Sequence, residues 1–411
     1  MDNKLLPPYT MNMSLSIGRE LPGRLYVQAS YVGRLSRRSL VQVDVAQPVN
    51  FTDPKSGTNY LTAVREMIRL VKAKTPVEQV PVIPWYENLF PGAAQAGLTA
   101  TQRLYLVYNG RAPARWMAIS PFDTYCKPAC TIYGPYTFFT PQYYALGTWM
   151  SVGNGNYHGM QWTVRKRLSQ GLMMDFNYTW SKSIDLSSRP ERRGISYSEN
   201  LMINSWDFSQ HRAVSNYDAT HMWNANWVLE LPVGRGRKFL GSAGKGLDAL
   251  LGGWQVSGLY FQSTPLPATV ESGYYPTNWN VPAWATQIKA VPKTHVSKNA
   301  PQVAGGSGPN IWADPKLALA SYDFTLPGEA GQRNGVRGDG FWNVDLGVMK
   351  RFVMPFSDRH SLQFRWETFN LFNSVSFGHP HLDISSPGSF GKLYYSRSSP
   401  RQMQFALRYE F

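Results

Sequence analysis

Hydrophobic and polar residues alternate with a period of two in a succession of segments along the chain. Near the amino end Met11, Met13, Leu15 and Ile17 alternate with Asn12, Ser14, Ser16 and Gly18; past a break at 20–23 the pattern resumes with Leu25, Val27, Ala29 and Tyr31. A strand with two unlike faces produces this period, and a short glycine-containing break joins two such strands into a hairpin. The clearest pair is MQWTVRKRL and LMMDFNYTW, joined by SQG. In it Met160, Trp162 and Val164 oppose Gln161, Thr163, Arg165 and Arg167, and Leu172, Met174, Phe176, Tyr178 and Trp180 oppose Asp175, Asn177 and Thr179, with Gly171 in the turn. Taken along the whole chain, the pattern predicts nine strands, near 10–18, 24–33, 156–168, 172–180, 222–231, 254–262, 341–352, 361–372 and 401–411.

Each segment has about the nine to eleven residues that a tilted strand needs to cross a bilayer, with apolar residues facing lipid and polar ones facing the lumen. A soluble β-sandwich also alternates, but it connects its strands by short turns at regular spacing. Here short connections (20–23, 169–171, 353–360) and a moderate one (232–253) alternate with long ones (34–155, 181–221, 263–340, 373–400). Short periplasmic turns and long outside loops are the pattern of an outer-membrane barrel. The expected fold is therefore all-β, an antiparallel transmembrane β-barrel portion with long extracellular loops. Trp162, Phe176, Tyr178, Leu346, Phe364, Phe405 and Leu407 are expected to face lipid; Gln161, Asn177, Asp345, Gln363 and Arg365 are expected to face the lumen. Within the first long loop, Leu61, Val64, Ile68 and Val71 stand at helical spacing in LTAVREMIRLVKAK and predict a short amphipathic helix over 61–74. An additional hairpin is expected around Thr101 to Asn109.

Composition agrees with strands and turns. Charged residues make up only 16% and aromatic residues 14%, with 35 Gly and 29 Pro, a poor mixture for helices. The longest apolar-looking run, ALLGGWQVSGLYF from Ala249, is broken by Gly252, Gly253, Gln255 and Ser257, so a bundle of membrane helices is excluded. The opening MDNKLLPPYT lacks the segments of a secretory signal, which implies either a cytoplasmic protein or a chain without its true beginning.

Several segments, in order, resemble the carboxyl-terminal barrel of TonB-dependent outer-membrane receptors of the Oar-like kind. They are IPWYENLFPG (83–92), NYHGMQWTVRKRLSQGLMMDFNYTWSKSID (156–185), ELPVGRGRKFLG (230–241), GGWQVSGLYFQS (252–263), RNGVRGDGFWNVDLGVMKRF (333–352), LQFRWETFNLFN (362–373) and PRQMQFALRYEF (400–411). The resemblance implies the last nine strands of a barrel of about 22 with a plugged lumen. It implies substrate uptake across the outer membrane in the full-length protein, energised by TonB acting on a plug. Signal peptide, plug and TonB box are missing from this sequence, so TonB is expected as a partner only through missing amino-terminal segments, and the chain is expected not to transport alone. The substrate is not specified. By likeness to outer-membrane proteins generally, Tyr409 and Phe411 match the aromatic-ended strand that the barrel-assembly machinery reads, while outer-membrane lipid is the expected surrounding of the apolar face.

The net charge of +15 would suggest nucleic acid in a soluble protein, but the basic residues are scattered and no nucleic-acid partner is expected. Arg165, Arg167, Arg365 and Arg408 fall on polar strand faces; with Asp345 and Glu367 they are the lumen-facing candidates. A lumen that needs polar groups anyway is the preferred reading over a dedicated anion site, for which attraction of an anionic solute would be the consequence. Cys126 and Cys130, in CKPAC, cannot complete a four-ligand zinc site, and a loop-closing disulfide is the expectation. Asp207, His211, Asp218 and His221 cluster in one long loop; a structural role is the preferred reading, and an Asp/His pair activating water in an autonomous outer-membrane hydrolase is the alternative. GRGRKFLG (234–241) opens no helix and makes no phosphate loop. No cofactor or metal is expected.

Overall fold

A computed structural model describes residues 5–45, 50–110, 146–188, 202–278, 281–354 and 356–411. Its frame is a meander of nine long strands: β1 Tyr9–Leu21, β2 Leu25–Asp44, β3 Gly147–Ser169, β4 Leu172–Asp185, β5 His221–Glu230, β6 Trp254–Ser263, β7 Phe341–Met354, β8 Ser357–Phe369 and β9 Gln402–Glu410. Each pairs antiparallel with its neighbour in sequence, in the order β1 to β9, and the two-residue strand Ala213–Val214 adds to the far end of β4. β1 and β9 each have a neighbour on one side only.

The register places residues of one parity on one face. Ile17, Ala29, Trp162, Tyr178 and Trp223 are successive cross-strand partners. So are Val256, Val348 and Trp366, with Phe405 opposite Trp366. On the other face Gln28, Thr163, Asn177 and Asn224 follow one another. Gly258 lies opposite Trp227, and a Cβ added there would meet the indole at 2.2 Å, so glycine lets the ring lie flat on the apolar face.

β2, β3 and β4 continue beyond the segments that alternate. β2 runs to Asp44 and β3 starts at Gly147, because their far ends no longer separate lipid from water. Val41 and Val43 are instead buried with Leu186 and Met202 under the loops.

All short connections gather at one end of the sheet and the long loops at the other, as expected for strict up-and-down order. The first long loop carries α1 Tyr60–Lys72, α2 Pro84–Leu89 and α3 Ala100–Asn109. α1 buries Val64, Met67, Ile68 and Val71 on one face. Trp85, Tyr86, Tyr105 and Tyr108 complete this core, the largest apolar cluster among the described residues. The hairpin expected around 101–109 is instead α3. Its start is fixed by a capping box in which the Thr99 hydroxyl accepts from the Gln102 N–H and the Gln102 side chain accepts from the Thr99 N–H. Glu87 reinforces it, accepting from the Ala100 and Thr101 amides and the Thr101 hydroxyl. Burial pushes the Glu87 carboxyl up, but those hydrogen bonds outweigh it and hold it below its ordinary value.

Candidate functional site

Polar side chains on the second face of the sheet form cross-strand chains. Arg165 pairs with Asp175 at 2.9 Å; Asn177 donates to Asp175 at 2.9 Å and to Asn224 at 3.1 Å, and accepts from Thr163 at 2.9 Å. On β7 to β9, Arg365 lies 3.6 Å from Glu367, and Gln404 donates to Glu367. Arg408 lies 3.4 Å and Arg351 3.6 Å from Glu410. Arg167 reaches Glu20 at 3.3 Å, near the short-turn end. Asp345 accepts from Asn343 and from the Asn370 N–H, both at 2.8 Å. Each candidate arginine thus has a carboxylate beside it, so this face attracts a free anion less than their charge alone would.

The opposite face is apolar and ends in aromatic residues. At the short-turn end Phe356, His360, Tyr409 and Phe411 adjoin one another in turn with centroids 5.4 to 6.1 Å apart, the first pair tilted and the other two stacked, and the Tyr409 hydroxyl and His360 Nδ1 are 2.7 Å apart. Toward the loop end Tyr178 stacks on Trp223 at 5.4 Å and bonds His221 Nδ1 at 2.8 Å.

Above the sheet the long loops are tied to one another by buried polar groups. Arg333 is the centre. Its Nη1 donates to the Asp185 and His211 carbonyls, and its Nη2 donates to Asp185 Oδ1 at 2.7 Å, to Ser188 and to Asn216. Arg337 holds Asp218 at 2.6 Å. Asn204 donates to the Gly328 carbonyl, Arg65 to the Pro327 carbonyl, and Lys72 meets Asp323 at 2.8 Å. Arg212 forks onto Asn154 and Asn156 of β3, both at 2.6 Å. Between the 264–340 and 370–401 loops lies a cavity of about 480 Å³, whose lining includes Glu271, Trp284, Arg333, Asn334, His381 and Asp383. Both terminal nitrogens of Arg333 are engaged, and the other polar groups of the lining have partners too: Asp383 Oδ1 accepts from the Ser385 N–H and hydroxyl, the Asn334 amide donates to Val214 and Asn216, and His381 Nδ1 lies 3.0 Å from the Ser389 hydroxyl.

The four residues considered as a hydrolytic set go to four separate partners. Asp207 caps the turn at 208–211, and the Ser209 hydroxyl, followed by the smaller effects of its neighbours, keeps its carboxyl below the ordinary value. His211 is buried; its Nε2 accepts from the Ile203 N–H at 2.8 Å and its ring lies edge-on to Trp284. Burial, then the Arg333 charge, lowers its pKa to about 4, leaving it neutral. Asp218 accepts from the Ser183 N–H and binds Arg337, while His221 serves Tyr178. No Asp–His hydrogen bond joins them among the described residues. Cys126 and Cys130 lie outside the described residues. Arg333, Asp185 and Arg337 lie in family-like segments, but the sequence does not disclose their pairing, because Asp185 at the end of β4 and Asp218 in a loop are more than a hundred residues away from the two arginines.

A strictly antiparallel meander with one aromatic-edged apolar face, one hydrogen-bonded polar face, and its long loops gathered at one end defines a membrane-spanning β-barrel protein. The chain belongs to the outer membrane beta barrel domain family, whose sequence model matches residues 1–404, and the outer membrane is its location. Solved structures similar to it include the outer membrane transporter YddB from Escherichia coli, at 9% identity and TM-score 0.39 over 98% of this chain and 33% of that one. P. aeruginosa FpvA bound to heterologous pyoverdines gives 11% identity and TM-score 0.36 over 99% and 28%. The ferric-catecholate import receptor Fiu from K12 E. coli gives 9% and 0.34 over 98% and 27%. The chain thus spans about a third or less of the length of these structures. No curated protein matches its sequence significantly.

Proposed function

We propose that the nine strands are part of the barrel wall of a TonB-dependent outer-membrane transporter, with Arg165, Arg167, Asp345, Arg365, Glu367 and Arg408 on the lumen side. Trp162, Phe176, Tyr178, Leu346, Phe364, Phe405 and Leu407 face lipid. The observation that carries this is the division of the meander into a polar face with paired charges and an apolar face edged by aromatics, capped at one end by interlocked loops. TonB acts, in this reading, through segments outside these strands, and Tyr409 and Phe411 are the residues read by the assembly machinery. The loop cavity captures the solute. With the Asp383 carboxylate and the Trp284 indole in its lining, and with Arg333 already engaged, it suits a neutral hydrogen-bonding or cationic solute better than an anion. The dispersal of Asp207, His211, Asp218 and His221 gives the hydrolase reading no support.

The test is solute depletion from the medium by cells carrying the complete gene, with and without functional TonB. Depletion that needs TonB and weakens on Asp383→Asn is expected. Equal depletion in both backgrounds would remove energised transport from the reading.

A further inference from the structure

The β5–β6 connection, 232–253, differs from the other turns at its end of the sheet. It contains a short helix, α4 Lys245–Leu251, in which Leu247, Leu250 and Leu251 occupy one face by their spacing. That face is largely open: Leu250 is 65% exposed, Leu247 46% and Leu251 39%, and Phe239 in the same connection is 53% exposed. In water such exposure is unfavourable, by ~25 cal/mol per Å².

The helix is held to the apolar side of the sheet. Trp254 Nε1 donates to the Leu250 carbonyl at 3.0 Å, and Lys350 Nζ donates to the same carbonyl at 3.2 Å and to the Gly252 carbonyl. Trp254 and Lys350 are register partners on the face that carries Val256 and Val348. The Lys350 ammonium, on an otherwise apolar face, therefore turns toward the helix's carboxyl end, where carbonyls and the local dipole favour a cation. The same connection carries Arg235, Arg237, Lys238 and Lys245, all exposed, against the single carboxylate of Asp248. Asp248 is occupied by the Arg235 N–H, and only Arg237 approaches another carboxylate, Glu230 at 3.5 Å.

We propose that this connection is an interfacial lipid-binding element. α4 lies in the periplasmic leaflet with its leucines among the acyl chains, and Arg235, Lys238 and Lys245 hold the phosphate of an anionic phospholipid. The proposal rests on the barrel reading, which sets the short connections at the periplasmic surface. An apolar face beside a basic cluster, joined to the lipid-facing surface, is the arrangement by which amphipathic helices bind anionic membranes.

The complete protein in nanodiscs of phosphatidylethanolamine with phosphatidylglycerol tests it, by native mass spectrometry of the lipids retained after transfer to detergent. Preferential retention of phosphatidylglycerol is expected. The triple variant Arg235→Gln, Lys238→Gln, Lys245→Gln should lower that preference about tenfold or more, and Leu247→Ser with Leu250→Ser should lower retention of both lipids. Lys238→Glu alone, at an exposed side chain, should lower the preference without disturbing α4. Unchanged preference in the charge variants, or displacement of the lipid by inorganic phosphate, overturns the proposal. Heat-modifiable electrophoretic mobility is followed in parallel: its absence in the unaltered protein would sink the barrel reading, and the proposal with it.

Discussion

Arg333 concentrates the polar energetics of the loop layer, with its side chain 6% exposed and that of Asp185 9%. Removing one partner of such a pair leaves a buried charge, at a cost of about 3 to 5 kcal/mol. Arg333→Met should therefore loosen the loops far more than Arg212→Met, whose partners lie at the surface, as limited proteolysis of the folded protein would reveal. Equal cleavage would mean that the loops are held by something else. His211 adds a pH dependence. Its pKa of about 4 in the fold lies below the ordinary 6.5, so the unfolded loop takes up a proton first as pH falls. Stability of the loop layer is full above about pH 6.5 and is lost progressively down to about pH 4, by on the order of 3 kcal/mol. Hydrogen exchange at residues 202–215, compared at pH 7.5 and pH 5, should show the loss in the unaltered protein and not in His211→Gln. The pairing itself was not legible in the sequence: Arg333 and Asp185 each lie in a family-like segment but stand 148 residues apart, without a periodicity to connect them. For Asp207 and His211 a structural role was the preferred reading, while the partners that give it, the Ser209 and Ile203 amides, could not be read from spacing.

Single elements were legible where one physical demand acted along their length. Between lipid and lumen every second residue must change character, so Leu362, Phe364 and Trp366 against Gln363, Arg365 and Glu367 disclosed β8. α1 was readable by the spacing of Val64, Ile68 and Val71. α3 was not, because Tyr105, Val107 and Tyr108 favour strands; the overlooked signal was Thr99 with Gln102, the capping pattern. Thr99→Ala should destabilise the helical loop by about 1 kcal/mol and Trp85→Ala, in its core, by about 3 to 5 kcal/mol. Both losses should register as faster exchange over 60–109 with unchanged barrel heat-modifiability. The converse holds in the sheet: Leu407→Arg puts a charge on the apolar face at a cost of about 2 to 4 kcal/mol near mid-membrane. That variant should assemble poorly while Ala406→Gln, on the polar face, assembles normally; indistinguishable levels would contradict the lipid assignment.

At the scale of the whole sheet, the decisive feature is that, among the described residues, it has two open edges: β1 pairs only with β2, and β9 only with β8. In a bilayer each unsatisfied backbone group costs several kcal/mol, and β1 alone extends over 13 residues. The edges cannot simply be zipped together in the usual way. Counting along the meander, β1 and β9 both run from the loop end toward the short-turn end, so their direct pairing would be parallel, whereas bacterial barrels close antiparallel with even strand numbers. In the proposed transporter, an odd number of further strands lies between these edges and restores antiparallel closure. The alternation already predicts nine strands, an odd count; the order and direction of all nine then show that the two edge strands run the same way. The expected outcome is that the nine-strand chain by itself, refolded into liposomes, yields no heat-modifiable monomer, while a polypeptide that also carries the further strands of the proposed transporter does. A heat-modifiable, protease-resistant monomer from the nine strands alone would show that they close on themselves, and the larger barrel would have to be abandoned.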